Sequence, residues 1–236
     1  MIGIGRRGGR ALAVTLLGAL ATVAPPGAAT AAAQRRPLVD RSAWAGAALV
    51  AGSVLLDRPG RDYALDHRTR ELDAVARAGN AMGSGRYLIA GMAAAYGVGW
   101  VARREWSRDV LHVAAAYTAG NVIVSVLKPA VGRQRPYVTG HPDRLRPFTA
   151  SGDWHSFPSA HAIHAFTLAA AVAEEAHRPW VSAVGYGAAA VVAWSRVYQD
   201  QHWTSDVVAG GVLGAVTAKA TVRWLHGRGR PDRARR

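Results

Sequence analysis

The predicted fold is an all-α helical bundle, and three features of the sequence point to it. No apolar–polar alternation of useful strand length occurs beyond residue 40. The apolar runs that do occur are rich in alanine and leucine, which favour helix, and are too long for ordinary strands. Charged residues or Pro/Gly punctuation separate one run from the next.

The first 33 residues stand apart from the body. Arg6, Arg7 and Arg10 form a basic start, and 11–24 is an unbroken apolar run. Pro25-Pro26-Gly27 ends that run, and Ala31-Ala32-Ala33 follows as a small-residue cleavage site. This is the layout of a secretory signal, with an uncleaved N-terminal anchor as the alternative for 1–33. The helical domain is expected over 37–225. Its first run is 42–56, ended by Asp57-Arg58-Pro59-Gly60. A mixed-charge segment from 61 to about 85 carries helical spacing in Leu72, Val75 and Ala76. The uncharged runs 87–102 and 110–127 come next, the second closed by Lys128-Pro129. Three further helices are expected at 161–173, 179–195 and 206–225. About six of these are expected to form the core of the bundle. The segment between Lys128 and His161 is one long loop, and a loop of that length in a compact domain usually carries function. The tail, 226–236, is basic and expected to be disordered.

Composition excludes several classes of chemistry. The chain has 236 residues and no cysteine, so disulfides, thiolate metal sites and a cysteine nucleophile are all ruled out. The formal charge of +14 comes almost wholly from arginine, since Lys128 and Lys219 are the only lysines. In an exported protein such charge suits anionic lipid or phosphate better than nucleic acid, and no nucleic-acid partner is expected.

Three clusters hold the candidate chemistry. Lys128 and, seven residues on, Arg135-Pro136 lie where a helix runs into the long loop. Pro158-Ser159-Ala160-His161 marks the return from that loop into helix. Ser195-Arg196, His202 and Asp206 bridge the last two helices. Antiparallel neighbours alternate direction, so all three clusters fall at one end of the bundle. Two helix N-termini there favour an oxyanion. Lys128, Arg135 and Arg196 can neutralise its oxygens, and Ser159 adds a hydroxyl beside the N–H groups of Ala160 and His161. His202 is the candidate nucleophile, oriented by Asp206 one turn later, and His161 the candidate general acid and later base. Few carboxylates are available nearby, so neither a metal nor another cofactor is expected in this site. His155 and His164 lie near the clusters, with His164 expected to be a packed residue.

Lys-x6-Arg-Pro, Pro-Ser-x-His and Ser-Arg-x5-His-x3-Asp, in that order, resemble the motifs of the type 2 phosphatidic acid phosphatase (PAP2) superfamily. This superfamily includes bacterial acid phosphatases and vanadium haloperoxidases. The resemblance spans roughly residues 85–225. It implies a PAP2-like helical bundle and a metal-independent phosphatase acting on lipid, isoprenyl or other organic phosphates. It also assigns Lys128, Arg135, Ser159, His161, Arg196, His202 and Asp206 the roles just described. One position departs: Ala160 stands where the family usually has glycine, which is tolerable if its φ is that of a first helical turn. A vanadium-dependent haloperoxidase and a non-catalytic binder of anionic lipid are the alternatives.

A multi-pass membrane protein of the bacterial cell envelope is expected. Trp100, Trp106, Trp180 and Trp224 fall at one end of the helices and Trp154, Trp194 and Trp203 at the other, like two interfacial belts. Arg103, Arg104, Arg108 and the tail arginines lie at the end away from the site, which makes that end cytoplasmic and the site outward-facing. The runs of about 13–18 residues are short for spanning. If both 11–24 and 42–56 crossed, the site would face inward, so the two do not both cross unless a further segment does. A periplasmic or secreted protein is the alternative.

Overall fold

The computed structural model describes residues 41–228. The expectations for 1–33 and for 229–236 lie outside the described residues. Eight α-helices occur among the described residues, with an isolated bridge between Arg133 and Leu145 as the only β feature. They are α1 (Arg41–Ser53), α2 (Asp57–Asp66), α3 (Arg70–Met82), α4 (Gly85–Val101), α5 (Ser107–Val131), α6 (Ala160–Ala176), α7 (Pro179–Tyr198) and α8 (Thr204–Arg228).

Several helix boundaries differ from expectation, each for a local reason. Asp57-Arg58-Pro59-Gly60 opens a helix rather than ending one. A 3-10 turn, Val54–Leu56, leads straight into it, and Pro59 sits in the first turn, where the missing N–H costs nothing. The segment 61–85 divides at Thr69, whose hydroxyl accepts from Leu72 N and caps α3. Lys128-Pro129 does not stop α5, which continues to Val131. Gly132 stops it, at φ +57, where a Cβ would sit 1.8 Å from the Arg146 carbonyl oxygen. The last helix runs to Arg228, so 226–228 are helical rather than part of a loose tail.

Helix α6 is the centre, flanked by α5, α7 and α8. Its alanines make that possible: Ala162, Ala165, Ala169, Ala170 and Ala171 are all buried. Helix α8 comes closest. Gly210 and Gly214, one turn apart, face α6 so tightly that a Cβ would lie 2.7 Å from Ser159 O and 2.5 Å from Ile163 O respectively. The outer faces are apolar. Ile89, Val98, Leu111, Val122, Val126, Val184 and Val216 are all exposed, as are Trp100, Trp106, Trp180 and Trp224 at the end expected to be cytoplasmic. Trp203 departs from the expected belt. It is fully buried, and its indole N–H donates to Gln134 O at 2.9 Å. Among the described residues one helix, Ser107–Val131, is long and apolar enough to cross a membrane, and only 33% of its apolar window is buried.

Candidate phosphate-binding active site

The loop 132–159 folds back across one end of the bundle. Arg146 N donates to Gly132 O and Gln134 N to Arg144 O, so the chain turns sharply after α5. This returns it to Ser159, the N-cap of α6, whose hydroxyl accepts weakly from Ala162 N at 3.5 Å. Ala160 is the first residue of that helix and is absent from the positive-φ positions, as its tolerance required. Ser159 N donates to Asp206 O at 3.0 Å, which fastens the N-terminus of α6 to that of α8.

Asp206 is the third residue of α8, and its carboxylate reaches back to Trp203 N at 2.9 Å, like the acid of a capping box. The same oxygen accepts from Ser156 Oγ at 2.5 Å, and the other oxygen accepts from Arg133 at 2.6 Å. His202 lies in the short link before α8, held by its own N–H donating to Arg196 O at 3.2 Å. Its Nδ1 is buried without a hydrogen-bond partner, 3.7 Å from Asp206 Oδ2. Catalytic hydrogen bonds are often this long before substrate binds. Burial is the main cause that pushes the His202 imidazole down to about 3, opposed by Asp206 and assisted by Lys128 and Arg135. The imidazole is therefore neutral at physiological pH, as a nucleophile must be. Burial alone would raise the Asp206 carboxyl. Arg133, His202 and Ser156 together hold it below the usual carboxylate range.

The three expected cations reach the same end. Lys128, in the last turn of α5, donates to His155 O at 2.5 Å. Arg135 donates to Gly152 O at 3.0 Å and to Gln201 through its backbone and side-chain oxygens. Arg196, in the last turn of α7, donates to Asn80 Oδ1 and, at 2.8 Å, to Gln199 Oε1, while its buried Nε–H has no partner. All three act electrostatically on His161, in the first turn of α6, whose imidazole burial lowers to about 3. Among the described residues none of the three cations is ion-paired to a carboxylate. Both buried acids near them are taken by another group: Arg133 bonds Asp57 and Asp206 at 2.6 Å each, with Ser205 bonded to Arg133 and Asp57.

Arg133, Asp57, Ser156, Ser205 and Asn80 were not singled out in the sequence as site residues. Arg133 is one of several arginines in the loop, with no local pattern to mark it, and its partner Asp57 lies 76 residues away. His155 and His164 are accounted for structurally. His155 Nε2 pairs with Thr149 O, and buried His164 pairs with Asn121 Oδ1 at 2.9 Å against the Tyr117 ring.

The sequence profile of the PAP2 superfamily matches residues 109–230, which contain all eight candidate positions. This chain belongs to the PAP2 superfamily. Lipid A 1-phosphatase of Porphyromonas gingivalis is 28% identical over 126 residues, 52% of this chain and 25% of that one. The undecaprenyl-diphosphatase of Sulfolobus acidocaldarius is 32% identical over 103 residues, 40% of this chain and 48% of that one. The chain thus spans between a quarter and about half the length of these curated relatives. In fold it is similar to the transmembrane PAP2-type phosphatidylglycerolphosphate phosphatase of Bacillus subtilis, with a TM-score of 0.63 and 21% identity over 81% of this chain and 97% of that one.

If Arg196 binds a phosphate oxygen through its planar fork, charge alone is insufficient. Arg196→Lys keeps the charge but loses the fork in which Nη1 bonds Asn80 and Gln199 while the buried Nε–H stays available to an oxyanion. We expect kcat/KM to fall at least tenfold, and a wild-type value would remove Arg196 from the phosphate ligands.

Proposed function

We propose that this chain is a phosphatase that cleaves a phosphate monoester, lipid-borne or otherwise, through a phosphohistidine intermediate and without a metal ion. The observation that carries this reading is the charge arrangement: three cations free of carboxylates beside a neutral, buried histidine. A binding site alone would not need that histidine. The donor set is one for an oxyanion, since the carboxylates that could hold a metal are bonded to Arg133.

In the first step His202 Nε2 attacks phosphorus while Nδ1 turns to Asp206. The bond from phosphorus to the leaving oxygen breaks, and His161 delivers its proton to that oxygen. Lys128, Arg135, Arg196 and the N–H groups at the start of α6 stabilise the charge on the non-bridging oxygens. In the second step His161 takes a proton from water, the hydroxide attacks phosphorus, and the P–N bond breaks to release phosphate. His161 is neutral in the free site, so its proton depends on the substrate. The phosphate's negative charge offsets the three cations that depress the imidazole.

The exposed apolar faces and the 25-residue helix α5, a third of whose apolar window is buried, support a place in the cell membrane, with several helices crossing and the site end standing clear of the lipid. A phosphorylated lipid is then the natural substrate class. The relatives' activities toward lipid A and undecaprenyl diphosphate fit the same class.

The deciding assay measures phosphate release from phosphatidic acid, an isoprenyl phosphate and nitrophenyl phosphate in the presence of chelator, with and without vanadate. Release that vanadate blocks supports the reading, and no release from any of the three overturns it. His161→Ala tests the division of labour. An alkoxide needs a proton to leave and a nitrophenolate hardly does. The variant should lose far more activity on alkyl phosphates than on nitrophenyl phosphate, with a burst of nitrophenolate before slow turnover. Equal losses with no burst would assign His161 to binding alone.

A further inference from the structure

At the opposite end of the bundle three helices bring together residues that the phosphate chemistry does not use. His112 of α5, Glu175 of α6 and His226 of α8 place one ligand atom each within 4.8 Å of one another. Glu175 is the hub. One of its oxygens lies 2.8 Å from His112 Nδ1 and the other 3.1 Å from His226 Nε2. The two imidazoles meet edge to face, with centroids 5.2 Å apart. Asp109, one turn before His112, is close enough to act electrostatically on Glu175 and both histidines.

We propose that His112, Glu175 and His226 bind one divalent transition-metal ion, zinc fitting best, as a clasp on α5, α6 and α8. Two imidazoles and a carboxylate are a borderline donor set suited to zinc, cobalt or nickel, whereas magnesium and calcium require oxygen ligands. Tetrahedral zinc with bonds of about 2.0–2.1 Å holds its donors about 3.3 Å apart, so small rotations about the side-chain bonds close the set. Asp109 or water supplies the fourth ligand. The His112 and His226 side chains are 28% and 45% exposed, which leaves an ion a path in. The adjacent Arg223–Glu174 pair already braces α6 against α8.

The ion is too far from the phosphate site to take part in the reaction. His112 and Lys128 are sixteen residues apart on one helix, or about 24 Å. Zinc removal should therefore lower the thermal unfolding midpoint and leave phosphatase turnover at assay temperature unchanged.

The test uses the full chain without a histidine tag, stripped with chelator, then titrated with zinc chloride by calorimetry. One zinc per chain and a raised unfolding midpoint are expected. His112→Gln, His226→Gln and Glu175→Gln should each weaken binding about 100-fold or more, exceeding what loss of a supporting hydrogen bond costs. Cobalt chloride should give the visible absorption of a tetrahedral site in the unaltered protein and lose it in each variant, a signature that loss of stability alone would not imitate in protein that still melts cooperatively. Absence of stoichiometric zinc binding, or binding that all three variants retain, would overturn the proposal and leave a hydrogen-bonded clasp.

Discussion

His202→Ala is expected to reduce turnover by about 10⁴-fold or more while vanadate still binds. The two effects separate because the cradle and the nucleophile are different residues. Lys128, Arg135 and Arg196 are held by backbone carbonyls and neutral side chains, none of which is His202's. The ring of His202 is nearly fully buried, so its removal leaves a cavity beside Asp206 without freeing any cation. Denaturing quench with labelled substrate should give an acid-labile phosphorylated imidazole in the unaltered protein and none in the variant. Turnover within tenfold of normal would mean that another group attacks phosphorus.

Replacing Arg133 with glutamine is expected to be the most destabilising change in the site. It leaves two buried carboxylates, Asp57 and Asp206, without their shared cation, and breaking a buried ion pair in this way costs about 3–5 kcal/mol. The effect on activity has a separate signature. Arg133 is the largest influence holding the Asp206 carboxyl below its ordinary range. Without it the carboxyl protonates at a higher pH, and a protonated Asp206 no longer supports the imidazolium character that His202 develops. The acid limb of kcat/KM in Arg133→Gln should move to higher pH. Asp57→Asn added to the same chain should recover part of the stability, because one unpaired charge is removed. A variant as stable as the starting protein, with an unmoved acid limb, would reduce Arg133 to a packing residue.

The contrast between Arg196 and Arg133 shows how much the sequence could carry. Arg196, His202 and Asp206 lie within one helix junction, so their proximity follows from spacing alone, and antiparallel alternation brings Lys128 and Ser159 to the same end. The helical class follows from composition. What the sequence does not display are contacts fixed by tertiary packing. Arg133 meets Asp57 across 76 residues, and Asn80 reaches Arg196 across 116. Nothing in the local pattern separates Arg133 from Arg144 or Arg146. The helix ends show the same limit. Pro59-Gly60 is a breaker by propensity, yet in a first turn proline has no N–H to lose, and Asp57 caps Ser205 N of another helix. Trp203 was placed at the membrane surface by its position along the chain. It is instead a buried platform, with the Arg133 guanidinium 5.7 Å from its ring.

The bond from Ser159 N to Asp206 O and the glycine-lined contact of Gly210 and Gly214 with α6 have a joint consequence. The N–H groups that would receive phosphate oxygens begin one helix, and the carboxylate behind the proposed nucleophile begins the other. Backbone atoms fix the spacing of those two starting points, with no side chain between them to repack. The placement of the proposed anion cradle against Asp206 is therefore set when the chain folds, and the His202 ring is what remains to turn when substrate binds. On the proposed reading as a membrane phosphatase, a surrounding bilayer would govern how often a headgroup reaches the pocket and would have little purchase on this backbone-fixed spacing.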